Sequence, residues 1–342
     1  MRLIVCLVAL WVCTASAVDM KIVTASERGT YIVLGRDLAK FVAPDADIQL
    51  EVLPSAGSVE NVRRLRHEAG VKFALVQSDV FQGYMDQAAQ GNREAGQMIR
   101  PLRVVLPLYN EEIYFIVRAD SPINYVHEIR GAKINAGALG SGTALTTTTL
   151  YRLMFGAPIP EWNVSFLSNE DALVKLIGDK SVDVVAVVAG QPAKLLADMK
   201  PEAKEVIRLL KFDANHAASK TALKTYVPAT VRATSYPNLL TDDVPSLAVK
   251  AYLVTYDYNL QHTQASLTAF ARSLCKHFPA LQAGGHPKWK EVELAQPVLG
   301  QGWLYYPPMA REIRACSGER VRPAKPAGKT CSQHERILGL CE

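Results

Sequence analysis

Hydrogen-bonding residues, mostly small and neutral, cluster at five points along the chain, four of them with glycine, each just after a strand-like apolar run. The first cluster holds Ser26, Gly29, Thr30 and Tyr31. The second holds Ser55, Gly57, Ser58 and Asn61. The third is Gln77-Ser78-Asp79, the fourth Gly140-Ser141-Gly142-Thr143, and the fifth Gly190-Gln191-Pro192. The first, second and fourth open a helical pattern. A helix start leaves backbone N–H groups unpaired and carries a partial positive charge. Glycine lets a ligand approach the backbone, and Ser and Thr hydroxyls turn to donate or accept. Several such ends facing one gap hold a small anion without lysine or arginine. For any one loop alone, N-capping is the more ordinary role. Gly-Ser-Gly-Thr is the most specific of the set, although it lacks the Lys-Ser/Thr ending of a P-loop.

Signals for catalysis are weak. There is no G-x-S-x-G elbow and no H-E-x-x-H, since His67-Glu68 has no second histidine. The seven histidines are scattered. Asp79 and Asp183 lie at strand edges, where capping or a hinge role outweighs acid–base work. The run Thr146-Thr147-Thr148-Thr149 is unusual in a helix because β-branched residues are stiff there. Its hydroxyls either turn toward a cleft or bond back to the preceding turn. Asn163-Val164-Ser165 is a glycosylation sequon, meaningful only in a eukaryotic secretory setting. Arg63, Arg64 and Arg66 read as a solvated helix face.

The elements that carry these loops alternate. Strands are expected at 21–25, 48–53, 71–76, 133–136, 164–167 and 182–188, with helices from the first loop to Phe41, from Ser58, and from Thr143 to Phe155. Such alternation predicts parallel sheets with crossover helices. Two strands at 102–106 and 113–117, around Pro107-Leu108-Tyr109, mark a crossing between two α/β units. A return crossing is expected at 224–234. Helices are expected near 264–277 and 289–299.

The chain has 342 residues, 49% hydrophobic and 21% charged, which excludes disorder, collagen and a disulfide miniprotein. The length fits two domains. Arg2, the apolar run 3–12 and Ala15-Ser16-Ala17 read as a signal peptide cleaved after Ala17, which predicts an exported, periplasmic protein. Losing Arg2 lowers the net charge from +5 to +4, too mild to favour nucleic acid. Four cysteines then remain, Cys275, Cys316, Cys331 and Cys341. Their spacing fits no zinc motif, and an even number in an exported protein points to two disulfides. Three connectivities are open, of which Cys275–Cys316 with Cys331–Cys341 is the simplest.

The ordered motifs Gly29-Thr30-Tyr31, Ser55-Ala56-Gly57-Ser58-Val59-Glu60-Asn61, Ala74-Leu75-Val76-Gln77-Ser78-Asp79-Val80, Ile129-Arg130-Gly131 and Gly140-Ser141-Gly142-Thr143 resemble the TAXI family of extracytoplasmic solute receptors. These serve tripartite ATP-independent periplasmic (TRAP) transporters. The likeness covers about residues 19–310. It implies an α/β, two-domain type II periplasmic binding fold, with parallel-type sheets flanked by helices and a crossing hinge. Implied bounds are 1–17 for the signal, 18–104 with 232–316 for one domain, 105–231 for the other, and 317–342 for a cysteine-bearing tail. The resemblance implies a monomeric binding protein rather than an enzyme, with no cofactor and no metal. Its ligand would be a small organic anion, a carboxylate such as glutamate or a dicarboxylate, and its partner a TRAP membrane permease. Carried over by position, ligand contacts come from Thr30, Tyr31, Ser58, Gln77, Ser141, Gly142 and Thr143, with Gly190 and Pro192 on the far wall. Two departures stand out: Glu27-Arg28 before Gly-Thr-Tyr, and Ile32-Val33 after it. Alternatives are a ligand sensor for a receptor kinase, or a periplasmic lyase or dehydratase using Asp79.

Overall fold

Two long antiparallel strands run side by side through the centre of one ten-stranded sheet. The computed structural model describes residues 17–300 and 302–318. The strands are β1 (Val18–Val23), β2 (Ile48–Leu53), β3 (Val71–Gln77), β4 (Leu102–Arg118), β5 (Ile134–Asn135), β6 (Val164–Ser165), β7 (Val184–Ala189), β8 (Ile207–Leu209), β9 (Val227–Val231) and β10 (Val244–Tyr256). Their order is β2-β1-β3-β10-β4-β7-β5-β6, with β8 beside β4 and β9 beside β10. The triplets β2-β1-β3 and β7-β5-β6 are parallel, as the alternating pattern requires. The central pair β10-β4 is antiparallel and joins them.

Side chains pack into separate apolar cores on either side of the crossing. On one side the core residues come from Met20 to Tyr109 and from Ala251 to Ile313, with Leu145 reaching in from the other side. On the other they come from Ile113 to Val249. This is the expected two-lobed, twice-crossed α/β architecture. The helices that matter for the cleft are α1 (Thr30–Phe41), α2 (Ser58–His67), α3 (Val80–Ala89), α4 (Arg93–Ile99), α5 (Gly142–Phe155) and α6 (Asn169–Ile177). In α1 the spacing of Tyr31, Leu34, Gly35 and Leu38 buries one face on the sheet. The run Val184–Ala189 is almost all β-branched or small because β7 is covered on both faces.

Several expectations change. The two strands around Pro107 are one 17-residue strand. Pro107, which lacks a donor, pairs with Tyr252 at the edge of the β4–β10 register shift between Lys250 and Tyr252. The return crossing is β10; the stretch near 224–234 supplies only β9, a short partner to it. The helix expected at 289–299 is instead a 3-10 turn at Pro287–Glu291, preceded by Pro287 at its first position. An unforeseen helix spans Pro307–Ser317 and carries Cys316. Cys316 bonds to Cys275 on the long helix Gln261–Gly284, the first half of the simplest pairing. The Cys331–Cys341 pair, the signal segment 1–16 and the tail beyond 318 lie outside the described residues. Among the described residues no helix is long and apolar enough to cross a membrane.

Candidate functional site

A cleft of about 720 Å³ opens between the lobes at the carboxyl ends of the parallel strands. Thr30 and Tyr31 at the start of α1, Ser58 at the start of α2 and Gln77 at the end of β3 line it from one lobe. Ser141, Gly142 and Thr143 at the start of α5 line it from the other. Seven of the nine expected positions therefore share one cavity. Gly190 is buried and is not among the lining residues; an added Cβ would lie 2.7 Å from the Tyr109 ring, 3.1 Å from Lys288 and 3.4 Å from Thr30 Oγ1. Pro192, after a cis peptide bond, is exposed and outside the lining.

The local chemistry favours donors. Neither α1 nor α2 has a side-chain cap, and neither α1 nor α5 has an acid in its first turn. Only α1 lacks both, so its N-terminal N–H groups and dipole are left for something else, whereas α2 has Glu60 in its first turn and α5 is capped by Ser141. The Ser58 hydroxyl accepts from the Gln77 N–H at 3.0 Å. That of Ser141 accepts from the Ala144 N–H at 3.0 Å, and that of Thr143 from the Val188 N–H at 3.3 Å. Each oxygen has a lone pair taken by the protein's own backbone. Each retains its O–H proton for donation. Three hydroxyls are therefore polarised as donors in one cavity.

Two glycines let the lobes meet here. Gly57 has φ +127, a conformation that only glycine takes without strain. A Cβ on Gly57 would lie 3.2 Å from the Gly142 nitrogen. A Cβ on Gly142 would overlap the Gln77 amide and come within 2.7 Å of Ser58 Oγ. The Glu60 N–H also donates across the gap to the Gly140 carbonyl at 3.2 Å. Asp86 of α3 pairs with Arg152 of α5. The lobes are in contact along this side of the cleft.

The cations at the rim are already paired. Arg28, 77% exposed, faces Glu170 across the mouth at 3.7 Å, and Lys194 pairs with Asp198. Arg28 thus bridges the lobes instead of reaching the floor. The floor carries an acid. Glu111 of β4 lines the cleft and is 4% exposed. Tyr31 donates to its Oε2 at 2.7 Å. Burial raises the Glu111 carboxyl to about 7, while the Tyr31 hydroxyl and the Gln77 side chain pull it partway back. The Tyr31 phenol is itself pushed well up, by burial first and by the neighbouring Glu111 second.

Sequence reasoning missed Glu111. The signal was present: Glu111-Glu112 is an acidic pair inside an otherwise apolar strand. Also missed were Ser168 and Asn169 at the start of α6, on the same cavity wall. Asp79 is close by but does not line the cleft. It accepts from Thr146 at 2.7 Å and from Tyr226 at 2.9 Å, both on the opposite lobe. Thr148 bonds back to Ala144 and Leu145, one of the two roles expected of the run, while Thr146 turns to the buried Asp79 and not into the cleft. Among the described residues no group of His, Cys, Asp and Glu is arranged to hold a metal ion.

Residues 22–293 match the model of the NMT1-like family. The chain belongs to that family. The two-lobed, twice-crossed architecture described above is the type II periplasmic binding fold. Solved structures similar to this NMT1-like chain include the periplasmic binding protein BugD, at 12% identity over 88% of this chain and 94% of that one, TM-score 0.49. A TctC solute binding protein from Polaromonas is 16% identical over 89% of this chain and 98% of its own, TM-score 0.40. The protein XAC2383 from Xanthomonas citri bound to ATP is 16% identical over 88% and 96%, TM-score 0.46.

Proposed function

We propose that this NMT1-like protein is a periplasmic solute receptor that captures a small organic anion, a carboxylate, between its lobes. The observation that carries this reading is the set of three hydroxyls, Ser58, Ser141 and Thr143, each accepting from a backbone N–H and so left to donate. With the starts of α1, α2 and α5 they supply neutral donors from both lobes to one bound group. An anion that touches both walls favours the closed arrangement, and closure makes the surface that a membrane partner reads. On the resemblance to TAXI receptors, that partner is a TRAP permease. Thr30, Tyr31, Gln77 and Gly142 complete the contact set, and Gly190 and Pro192 stand outside the lining between Ala189 and Ala193, which belong to it.

Micromolar capture needs about −8 kcal/mol. Charge-assisted hydrogen bonds of about 1.5–3 kcal/mol each supply that from four or five donors. The receptor performs no chemistry in this reading. Asp79, the acid that a lyase or dehydratase would need, is tied up between the lobes by Thr146 and Tyr226. The test is mass spectrometry of what co-purifies with the protein, followed by a thermal-shift screen of carboxylates. An unchanged carboxylate recovered from the protein is the expected result. Turnover of that compound, or stabilisation by no anion at all, refutes the reading. An adjacent permease gene supports transport, and an adjacent histidine kinase gene supports sensing.

A further inference from the structure

Glu111 is out of place in a cleft built to donate hydrogen bonds to an anion. It is a carboxyl at the floor of the same cavity, and it makes no ion pair among the described residues. The only cation whose field reaches it among the described residues is Lys288, and that field is outweighed by burial. Tyr31 of α1 and Gln77 of β3 are neutral. Its strand neighbour Glu112 adds negative charge, and so does Asp79 through its field on Tyr31. Tyr109 is a buried phenol held neutral by its surroundings. The nearest cation is Lys288, 1% exposed, but its ammonium is taken by Glu291 at 2.9 Å and faces Glu112 at 3.6 Å. It also donates to the Asn110 carbonyl. Buried carboxylates are paired or forced neutral. Here the missing partner has one open direction, the cleft.

We infer that Glu111 is the specificity-determining residue of the cleft, reserving its floor for a positively charged nitrogen, so that the ligand carries an ammonium group beside its carboxylate. The inference rests on the reading of the cleft as an anion receptor and adds the second pole. The carboxylate sits on the hydroxyls and helix starts of both lobes. The ammonium sits on Glu111, whose orientation Tyr31 fixes by donating to Oε2. Gln77 lies between the two poles, beside both Glu111 and the Gly142 backbone. A plain dicarboxylate meets the floor acid with like charge and binds only with Glu111 protonated.

Proton counting separates these cases. In the empty site Glu111 is about half protonated at pH 7, since burial holds it at about 7. An ammonium favours the carboxylate and expels that proton; an extra carboxylate favours the acid and draws one in. The experiment is titration calorimetry at pH 7 in two buffers of different ionisation enthalpy. The probes are glutamate, aspartate and alanine, each against the same acid without its amine: glutarate, succinate and propionate. The expected result is at least tenfold tighter binding of an amine-bearing member, with release of about half a proton. The isosteric Glu111→Gln variant abolishes the release and brings the pair within about threefold; circular dichroism confirms its fold. Equal or tighter binding of the amine-free acid, or proton uptake with the amine-bearing one, overturns the inference and leaves the receptor reading standing. Failure of all six probes to bind overturns both. The proton count on the unmodified protein decides the question even if the variant does not fold.

Discussion

The Thr146 hydroxyl donates to Oδ2 of Asp79 at 2.7 Å, linking a helix of one lobe to the strand end of the other. Tyr226 donates to the same oxygen at 2.9 Å. Asp79 is 2% exposed, and burial lifts its carboxyl to about 6 against the pull of these two donors. Both donors come from one lobe and the acceptor from the other, so this contact is a latch on the closed arrangement.

Thr146→Val removes one donor from a buried acid. A hydrogen bond to a charged group contributes about 1.5–3 kcal/mol. The expected result is a ten- to hundredfold loss of ligand affinity by calorimetry. Each lobe keeps its own core, so the thermal midpoint moves little. Wild-type affinity in this variant rules out the latch.

Gly142→Ala places a methyl group into the Gln77 amide and beside Ser58. The clash exists only where the lobes meet, so it opposes closure more than folding. We expect a loss of affinity larger than that of Ser141→Ala or Thr143→Val, each of which removes one donor. Small-angle scattering with saturating ligand checks it: Gly142→Ala stays extended, and a compact, ligand-closed Gly142→Ala contradicts the cleft geometry.

Glu111 makes stability fall as pH rises. Burial raises its folded carboxyl to about 7, from an ordinary value of 4.5. The unfolded chain ionises it first, so the folded state is favoured fully below pH 4.5. That advantage is lost between 4.5 and about 7, and the loss is constant above. The span corresponds to about 3 kcal/mol at about 1.4 kcal/mol per pH unit. Asp79, raised from 3.8 to about 6, adds a contribution of the same sign. Urea unfolding should find Glu111→Gln more stable than wild type by about 2–3 kcal/mol at pH 8 and nearly equal at pH 4. A variant no more stable at pH 8 shows that the floor acid carries no such penalty.

The Cys275–Cys316 bond closes a loop with a sequence separation of 41. On the chain-entropy account such a cross-link contributes about 3–4 kcal/mol. Cys316→Ala should lower the urea midpoint by an amount matching that figure, while ligand affinity is unchanged because the bond lies between two helices remote from the cleft lining. Equal midpoints with and without the bond argue against that contribution.

What the sequence by itself determined is local. Apolar period marks α1, α2 and the parallel strands, and a capping serine also marks α5, because each is a property of five to fifteen neighbouring residues. The clustering of Ser, Thr and Gly after strands marked the loops that reach the cleft, since helix starts advertise themselves through their unpaired N–H groups. Only the tertiary structure decided which of those loops share one cavity. It left Gly190 and Pro192 outside the lining, ran one strand through Pro107, and made β10 the second crossing. It alone set Glu111 on the cleft floor and Asp79 between the lobes. Those placements depend on pairing residues more than a hundred positions apart, as β4 pairs with β10 and Asp79 with Tyr226. No local pattern encodes that partner, because the free energy that selects it comes from burial shared across the whole sheet.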